Sequence, residues 1–326
     1  MLSNKIIFIS ALDWGLGHAT RCVPIINSLQ KNNTVIIGIT PLTKLIFDEE
    51  FPHLKKINVP AYNINYSKKI PIWLKLLFNA SRILKVIQQE KKQLDEIILQ
   101  NKIDIVISDN RFGLYSKKTH SIFITHQLFL KTSFANKIAQ NINKKYILNF
   151  NEVWIPDNEN EALSLGGDLS HGNHFHAKIK YIGILSRLAL SNSLEKNYDY
   201  LLLISGPEPQ QTLFINLLLQ KATQNLNLKF AMLCANNFKC QAENVTIINY
   251  PNATQISKAI LQSKKIICRS GYSTIMDLQQ LQINFKNVIF IPTPSQTEQE
   301  YLANYLMNKF GAVVISQKLF TQKKLQ

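Results

Sequence analysis

The sequence of 326 residues has few cysteines and no long apolar segment. Its cysteines, Cys22, Cys234, Cys240 and Cys268, form no C-x-x-C pair. This argues against a disulfide framework or a structural zinc site and fits a reducing compartment. No apolar run approaches the ~18 residues that a transmembrane helix needs, so no membrane span is predicted. The first apolar run is short and ends in a glycine-rich turn, which predicts a β-strand rather than a signal peptide.

Acidic residues are also scarce, because 21 Asp and Glu stand against 37 Lys and Arg, for a net charge of +16. Such a surface attracts polyanions, whether nucleic acid, acidic lipid or a phosphorylated substrate. The sequence has no basic–aromatic repeat and no helix-turn-helix pattern, so we expect no nucleic-acid partner. Compositional drift of a genome explains part of the charge without any partner.

Short β-branched runs alternate with longer helical patterns along the chain. Most runs are continuously apolar, which is typical of parallel strands covered by helices on both faces. The alternation predicts two Rossmann-like, doubly wound α/β domains that face each other across a cleft. We expect domains at 1–185 and 200–326, joined by a linker at 186–199. The predicted strands are 5–10, 34–39, 103–108, 121–125, 152–156, 200–205, 229–234, 245–249, 265–268 and 288–292.

A glycine-rich turn, Asp-Trp-Gly-Leu-Gly-His, follows the first predicted strand. Gly15 and Gly17 permit a tight turn and a close approach to a ligand. His18 stands at the start of the next helix, where the dipole favours a neutral imidazole, the form that acts as a general base. Asp13 is the candidate carboxylate that orients it. The alternative is an ordinary strand–helix turn with His18 as a polar cap. A dinucleotide site is disfavoured because the third glycine is missing.

A more specific pattern, Ile-Cys-Arg-Ser-Gly-Tyr-Ser-Thr-Ile-Met-Asp-Leu, spans 267–278. An apolar strand leads into a turn, and the N–H groups at the start of the following helix can bind a diphosphate. Ser270, Ser273 and Thr274 supply further hydroxyl donors. Asp277 projects from the same side one turn later and can accept the hydroxyls of a ribose. The pattern therefore predicts a site for a nucleotide.

A second loop and helix follow, with the sequence Phe-Ile-Pro-Thr-Pro-Ser-Gln-Thr-Glu-Gln-Glu-Tyr at 290–301. Thr297 is the predicted N-cap, and Glu300 lies at capping-box spacing from it. The capping box is therefore the structural alternative to a binding role for Glu300. The Gln299 amide can both donate to and accept from sugar hydroxyls.

The order of G-L-G-H, C-R-S-G-Y-S-T-I-M-D and P-T-P-S-Q-T-E-Q-E-Y-L-A-N resembles glycosyltransferase family 28 over almost the whole chain. The resemblance implies the two-domain GT-B fold. It also implies transfer of N-acetylglucosamine or another hexose from a UDP-sugar to a lipid-linked or glycolipid acceptor. The implied reaction inverts the anomeric carbon and needs neither metal nor cofactor. The implied location is cytoplasmic, peripheral on the inner face of the plasma membrane.

The resemblance, together with the positions of polar residues after predicted strands, gives candidates for the two sides of the site. His126 is the substitute candidate for the base. Pro207, where the family has a serine, Asp277 in place of a glutamate and Glu300 in place of a glutamine depart from the family pattern. Asp109 and Arg111, which follow a predicted strand, either bind the acceptor or pair with each other to close their loop. The donor candidates are Arg187, Ser205, Gly206, Asn249, Arg269, Ser270, Gly271, Tyr272, Ser273, Thr274, Asp277, Gln299 and Glu300. The acceptor-side candidates are Gly15, Gly17, Asp109, Asn110, Arg111 and Gln127.

The segment 55–92 holds nine basic residues and a single acid. Apolar residues recur in it at helical spacing, with Lys75 and Arg82 on another face. The pattern is typical of a helix on an anionic membrane, with Trp73 and Phe78 reaching into the lipid. The alternative is an amphipathic helix packed on the N-terminal sheet, with a solvated basic face.

His171, His174 and His176 are close in sequence, but no neighbouring Cys or carboxylate completes a metal site, and none is predicted. Two other functions remain open. A nucleotide-sugar 2-epimerase uses the same domains but would need acid and base carboxylates in the cleft. A non-catalytic protein that recruits a partner at a membrane would not bind a nucleotide sugar.

Overall fold

The computed structural model describes residues 3–63, 80–131, 136–172, 178–191, 195–235, 237–322 and 325. The chain divides into two compact units, which separate between Ser186 and Arg187. Among the described residues, no helix combines the length and the apolar character needed to cross a membrane.

The first unit is built on a seven-stranded sheet in which all strands are parallel. Its strands are β1 (Ile6–Ala11), β2 (Thr34–Ile39), β3 (Lys55–Asn58), β4 (Ile105–Asp109), β5 (His120–Ile124), β6 (Glu152–Ile155) and β7 (Ile179–Tyr181). Its helices are α1 (Leu16–Leu29), α2 (Pro41–Glu50), α3 (Ala80–Asn101) and α4 (Asn136–Ile147). The spatial order is β3-β2-β1-β4-β5-β6-β7, so the order reverses between β1 and β4. Ligands of doubly wound sheets bind beyond the carboxyl ends of the strands at such a point.

The second unit contains a six-stranded sheet that is also wholly parallel. Its strands are β8 (Tyr198–Leu203), β9 (Phe230–Cys234), β10 (Val245–Asn249), β11 (Ser263–Cys268), β12 (Val288–Phe290) and β13 (Val313–Val314). Its helices are α5 (Gln210–Thr223), α6 (Ala253–Leu261), α7 (Tyr272–Gln280), α8 (Thr297–Phe310) and α9 (Gln317–Gln322). The order β10-β9-β8-β11-β12-β13 reverses between β8 and β11.

The central strands are apolar throughout because helices cover both faces of each sheet. In β1, Ile7, Phe8 and Ile9 have no exposed surface, and all five residues of β9 are buried. Each such aliphatic or aromatic side chain contributes about 1.5–3 kcal/mol through its burial. These strands therefore form a rigid base for the loops at their carboxyl ends.

The structure confirms the predicted pair of doubly wound parallel sheets, and every predicted strand is present. Three short strands, β3, β7 and β13, are not predicted from the sequence. Each of them is an edge strand of its sheet. Strand β8 begins at Tyr198, inside the range predicted as the linker. Helix α1 begins at Leu16, so His18 lies within its first turn.

Candidate functional site

The glycine-rich turn after β1 delivers His18 to the carboxyl edge of the first sheet. Gly15 is the N-cap of α1 and has φ 142° and ψ 165°, a conformation that only glycine adopts readily. The helix then begins at Leu16, with Gly17 as its second residue and His18 as its third. The backbone conformation of Gly15 therefore fixes where α1 begins and, with it, the position of the His18 side chain.

Asp109, the last residue of β4, is the carboxylate that contacts His18. Its Oδ1 lies 2.8 Å from Nδ1 of His18, and its side chain has no exposed surface. The prediction that Asp13 orients His18 is wrong. The Asp13 carboxylate accepts the backbone N–H of Tyr62, at 3.2 and 3.3 Å. Strands β1 and β4 are neighbours, so Asp109 can reach α1 although it is distant in sequence.

Arg21 binds both Asp109 and His126, and the sequence motifs do not identify it as a site residue. Its guanidinium donates from Nε and Nη2 to the two carboxylate oxygens of Asp109. Its Nη1 lies 3.0 Å from Nδ1 of His126, in the loop after β5. Arg21 is three residues after His18 on the same helix, and this spacing is the signal that could have identified it.

Burial and charge together keep the His18 imidazole neutral. Burial lowers the pKa of His18, the Arg21 guanidinium lowers it further, and Asp109 opposes both effects. Burial alone would raise the pKa of the Asp109 carboxyl, but Arg21 and His18 hold that pKa well below its usual range. The site therefore pairs a neutral imidazole with an ionised carboxylate near neutral pH. Burial, and not the helix dipole that the sequence suggests, is therefore the largest cause of the lowered pKa of His18.

Arg111 belongs to a separate buried cluster, so the alternative in which Asp109 and Arg111 pair to close their loop is wrong. Its Nη2 lies 2.8 Å from Oε1 of Glu90 on α3, and its Nη1 donates to the carbonyl of Ala11 at 3.2 Å. Oε2 of Glu90 accepts the Tyr62 hydroxyl at 2.9 Å and the N–H of Gly113 at 3.0 Å. Because Arg111 has no exposed surface, it ties elements together rather than facing an acceptor.

The other acceptor-side candidates lie in the same loops. Asn110 has φ 55°, a left-handed turn that points its neighbours Asp109 and Arg111 toward different partners. Gln127 is half-buried, its N–H donates to Oγ1 of Thr125 at 3.0 Å, and its carbonyl accepts from Asn143 at 3.2 Å.

In the second unit, β11 ends at Cys268 and α7 begins after Gly271. No side chain caps the N-terminus of α7. Gly271 has φ −73° and ψ 141°, which any residue adopts, and a Cβ added there would meet no atom within 4 Å. Neither the backbone nor the packing of this unit therefore requires glycine. The position remains open to a ligand that approaches the backbone closely.

Two residues of this turn, Arg269 and Ser270, face inward and not toward a ligand as predicted. The Arg269 guanidinium donates to the carbonyls of Ile291 at 2.9 Å and Pro292 at 3.2 Å, and to the Gln317 side chain at 2.8 Å. Burial lowers the pKa of Arg269 to about 10, so it is still a cation at neutral pH. The Ser270 hydroxyl donates to the carbonyl of Gln299 at 2.7 Å.

The remaining candidates on α7 lie in its first two turns. Tyr272 and Thr274 are buried, whereas Ser273 and Asp277 are half-buried.

The predicted sugar-binding residues after β12 support their own loop instead. Oε1 of Gln299 accepts the N–H of Thr293 at 2.9 Å, and its Nε2 donates to Gln296 at 2.6 Å. Helix α8 begins at Thr297 with Gln296 as N-cap, so the predicted Thr297–Glu300 capping box is wrong. The exposed Glu300 accepts the N–H of Ser295 at 3.2 Å.

Other predicted donor residues have mixed positions. The Asn249 side chain binds the connection between β9 and β10, since its Oδ1 accepts from the N–H of Phe238 at 3.1 Å and its Nδ2 donates to the carbonyl of Phe238 at 2.9 Å. Ser205 and Gly206 form the loop after β8, and Gly206 has φ 101°. Arg187 is half-buried at the start of the second unit.

Several candidates lie outside the described residues, namely Trp73, Lys75, Phe78, His174 and His176. Arg82 is exposed on α3. The His171 ring stacks on Tyr181, with the ring centroids 4.8 Å apart. In the part of the chain that the structure describes, no group of three or more His, Cys, Asp and Glu side chains could hold a metal ion.

Comparison with known proteins agrees with this architecture. Residues 193–326 match the glycosyltransferase family 28 C-terminal domain. A search of curated proteins found no match to the sequence.

Solved structures of glycosyltransferases resemble the whole chain. The MurG of Acinetobacter baumannii has a TM-score of 0.55 and 13% identity, over 98% of this chain and 89% of that chain. The spinosyn rhamnosyltransferase SpnG, complexed with thymidine diphosphate, has a TM-score of 0.63 and 13% identity, over 98% and 90%. The glycosyltransferase SsfS6 of Streptomyces sp. SF2575 has a TM-score of 0.63 and 11% identity, over 98% and 89%. At such identities the likeness shows the fold. Together with the family match over residues 193–326, it indicates a glycosyltransferase with the GT-B fold, whose C-terminal part is similar to the glycosyltransferase family 28 C-terminal domain.

Proposed function

We propose that the enzyme transfers a hexose, N-acetylglucosamine or a related sugar, from a UDP-sugar to a hydroxyl of a lipid-linked or glycolipid acceptor. The proposed reaction inverts the anomeric carbon and uses neither metal nor cofactor. The enzyme works in the cytoplasm, on the inner face of the plasma membrane.

The observation that carries this proposal is the uncapped start of α7 at Gly271. A diphosphate at this point receives the backbone N–H groups of the first turn, and the helix dipole favours its negative charge. A Cβ at Gly271 would occupy the space that the diphosphate needs, which explains a glycine that neither dihedral angles nor packing require. Half-buried Asp277, one turn further on, accepts the ribose hydroxyls.

Arg269 supports the same site through its charge rather than through direct contact. In the described residues its guanidinium pairs with neutral oxygens of Ile291, Pro292 and Gln317. Within the part of the chain that the structure describes, no carboxylate neutralises this buried cation, and it favours an anion at the adjacent helix terminus. Leaving-group charge is stabilised by the same N–H groups, so the proposed reaction needs no metal.

The acceptor hydroxyl is activated by His18. In the proposed step Nδ1–H of His18 donates to Asp109, and Nε2 takes the proton of the acceptor hydroxyl. The acceptor oxygen then bonds to the anomeric carbon. The bond from that carbon to the diphosphate oxygen breaks, and UDP leaves with the electron pair. Attack opposite the leaving group accounts for inversion.

The nature of the donor base and of the acceptor rests on the family resemblance and on charge. SpnG holds thymidine diphosphate, so both uridine and thymidine donors belong in a test. The net charge of +16 and the exposed Arg82 suit an anionic membrane surface. Part of the amphipathic segment packs inward, because Ile87 is buried, whereas Leu84 is 49% exposed.

A nucleotide-release assay with a panel of UDP- and TDP-sugars tests the function. We expect UDP release that depends on an added glycolipid acceptor, and a product of inverted anomeric configuration by NMR. Conversion of the donor sugar without acceptor would indicate an epimerase. Failure to bind any nucleoside diphosphate in calorimetry would indicate a recruiting protein. Either result would refute the proposal.

A further inference from the structure

We propose that Arg21 is a positioning residue that holds the two site histidines in opposite tautomers, so that His18 accepts the proton while His126 donates a hydrogen bond. This inference rests on the proposed role of His18 as the base. It goes further because it assigns a function to a residue outside the sequence motif and separates the roles of the two histidines.

The contact with His126 fixes one tautomer. An arginine side chain only donates hydrogen bonds. Nη1 of Arg21 lies 3.0 Å from Nδ1 of His126, so this ring nitrogen must accept. A neutral imidazole that accepts at Nδ1 carries its proton on Nε2. His126 therefore presents an N–H at its other nitrogen and is unsuited to remove a proton from the acceptor.

The contact with His18 favours the opposite tautomer. Nδ1 of His18 lies 2.8 Å from Oδ1 of Asp109 and also 2.8 Å from Nη2 of Arg21. One ring nitrogen cannot donate to the first and accept from the second at once. The Asp109 carboxylate can only accept, and Nη2 of Arg21 already donates to it. Donation from His18 to Asp109 therefore satisfies all three groups and leaves Nε2 of His18 unprotonated, as a base requires.

Charged and titratable groups face the His18 ring from three elements. Arg21 faces His18 from α1, Asp109 faces it from β4, and His126 faces it from the loop after β5. The positive charge of Arg21 balances the negative charge of Asp109, and burial lowers the pKa of His18, so the His18 imidazole remains neutral. Sγ of Cys22 lies 3.6 Å from Oδ2 of Asp109, and burial raises the pKa of this thiol well above its usual range, so it adds no charge.

Replacement of Arg21 tests the proposal through a pH profile. In Arg21→Gln the unbalanced Asp109 charge acts on His18 alone, so the acidic limb of kcat/KM should move to higher pH by about one unit or more. We expect kcat to fall about 10²-fold while KM for the nucleotide sugar changes by less than roughly threefold. Arg21→Lys keeps the charge but loses the two-pronged contact. It should restore the acidic limb and part of kcat. A role in folding alone would leave the acidic limb in place, and that result would overturn the proposal.

Imidazole ¹⁵N NMR reads the two tautomers on the unmodified enzyme, and variants serve only to assign its signals. We expect the proton of His18 on Nδ1 and that of His126 on Nε2, with assignments from His18→Gln and His126→Gln spectra. The same tautomer in both rings would overturn the proposal. Full turnover in His18→Gln alongside opposite tautomers would instead refute the base role in the proposed function, so the two failures are distinguishable.

Discussion

His18 and Asp109 come together over 91 residues of sequence, and their contact predicts a specific pattern of variant activities. His18→Ala removes the proposed base and should lower kcat by about 10²–10⁴-fold. Asp109→Asn should also lower kcat strongly, because an amide no longer favours the Nδ1–H tautomer. Asp13→Asn is the matched control, since its carboxylate contacts the Tyr62 backbone and lies 3.9 Å from Nη1 of Arg111. Its kcat should stay within about tenfold of the parent value. Equal losses in Asp13→Asn and Asp109→Asn would contradict this assignment.

The sequence predicts individual residues where a local rule applies and misses them where partners come from distant elements. His18 was identified because a polar residue after a parallel strand lies at the ligand edge of the sheet. Proximity in sequence predicts that the Asp13 carboxylate orients His18, but the side chains that contact the His18 ring are Asp109 and Arg21. Arg269 and Gln299 match the family pattern, but the predicted contacts of their side chains with a ligand are not what the structure shows. Both side chains form hydrogen bonds within the protein instead. Satisfaction of buried polar groups is a tertiary property that no spacing rule contains.

Gly15 at the start of α1 and Gly271 at the start of α7 are glycines for different reasons. Replacement by alanine should therefore affect stability at Gly15 and ligand binding at Gly271. Gly15→Ala forces an alanine to φ 142° and should cost about 1–3 kcal/mol of stability. Gly271→Ala meets no neighbour and no strain, so the free energy of unfolding should change by less than about 0.5 kcal/mol. The new methyl instead crowds the diphosphate, which should weaken nucleoside diphosphate binding by roughly tenfold.

Urea unfolding and calorimetry with UDP measure the two effects separately. Unchanged UDP affinity in Gly271→Ala would refute the proposed donor site, whatever the stability of Gly15→Ala.

The buried Glu90–Arg111 pair joins α3 to the loop after β4 and predicts a pH-dependent loss of stability. Burial raises the pKa of Glu90, while Arg111 and the Tyr62 hydroxyl oppose this effect. Removal of Arg111 in Arg111→Met leaves a buried carboxylate without its counter-charge, which should cost about 3–5 kcal/mol near neutral pH. The folded-state pKa then lies further above the unfolded value, so stability is greatest at low pH and is lost as pH rises through the folded pKa.

Urea unfolding at pH 5 and pH 8 measures this dependence. The destabilisation of Arg111→Met should be larger at pH 8, and the double variant Arg111→Met with Glu90→Gln should lose most of the difference. Equal destabilisation at both pH values would show that the charge of Glu90 is not its cause.

Among the strands, the long apolar ones are predictable from the sequence. The short strands are not, because only their hydrogen-bonded pairing with a neighbouring strand makes them strands. Strand β1 is recognisable because its residues are buried on both faces. The edge strand β3, with the sequence Lys-Lys-Ile-Asn, has no such signal, and only its register with β2 makes it a strand. The two-residue β13 exists through its pairing with β12. Edge strands are short and polar for physical reasons, and the same properties hide them from pattern analysis.

At the scale of the whole molecule, the excess of 16 positive charges either acts as a uniform field or is used by a particular surface. The exposed cations Arg82 and Lys85 on α3 belong to the basic segment 55–92, whereas Lys258 and Lys318 are exposed in the second unit. Reversal of either pair to Glu lowers the net charge by the same amount. A uniform field predicts equal effects of the two double variants on binding to anionic vesicles. A dedicated membrane surface predicts an effect only of the α3 pair.

We expect the dedicated surface. Each cation near an anionic membrane contributes about 1 kcal/mol, so Arg82→Glu with Lys85→Glu should weaken binding to phosphatidylglycerol vesicles at least tenfold in co-sedimentation. Lys258→Glu with Lys318→Glu should change binding by less than about threefold, because a dedicated surface on α3 does not include these two cations. Equal losses from the two double variants, or binding to neutral vesicles that matches binding to anionic ones, would refute a basic membrane-facing surface on α3 and leave glycosyl transfer itself untouched.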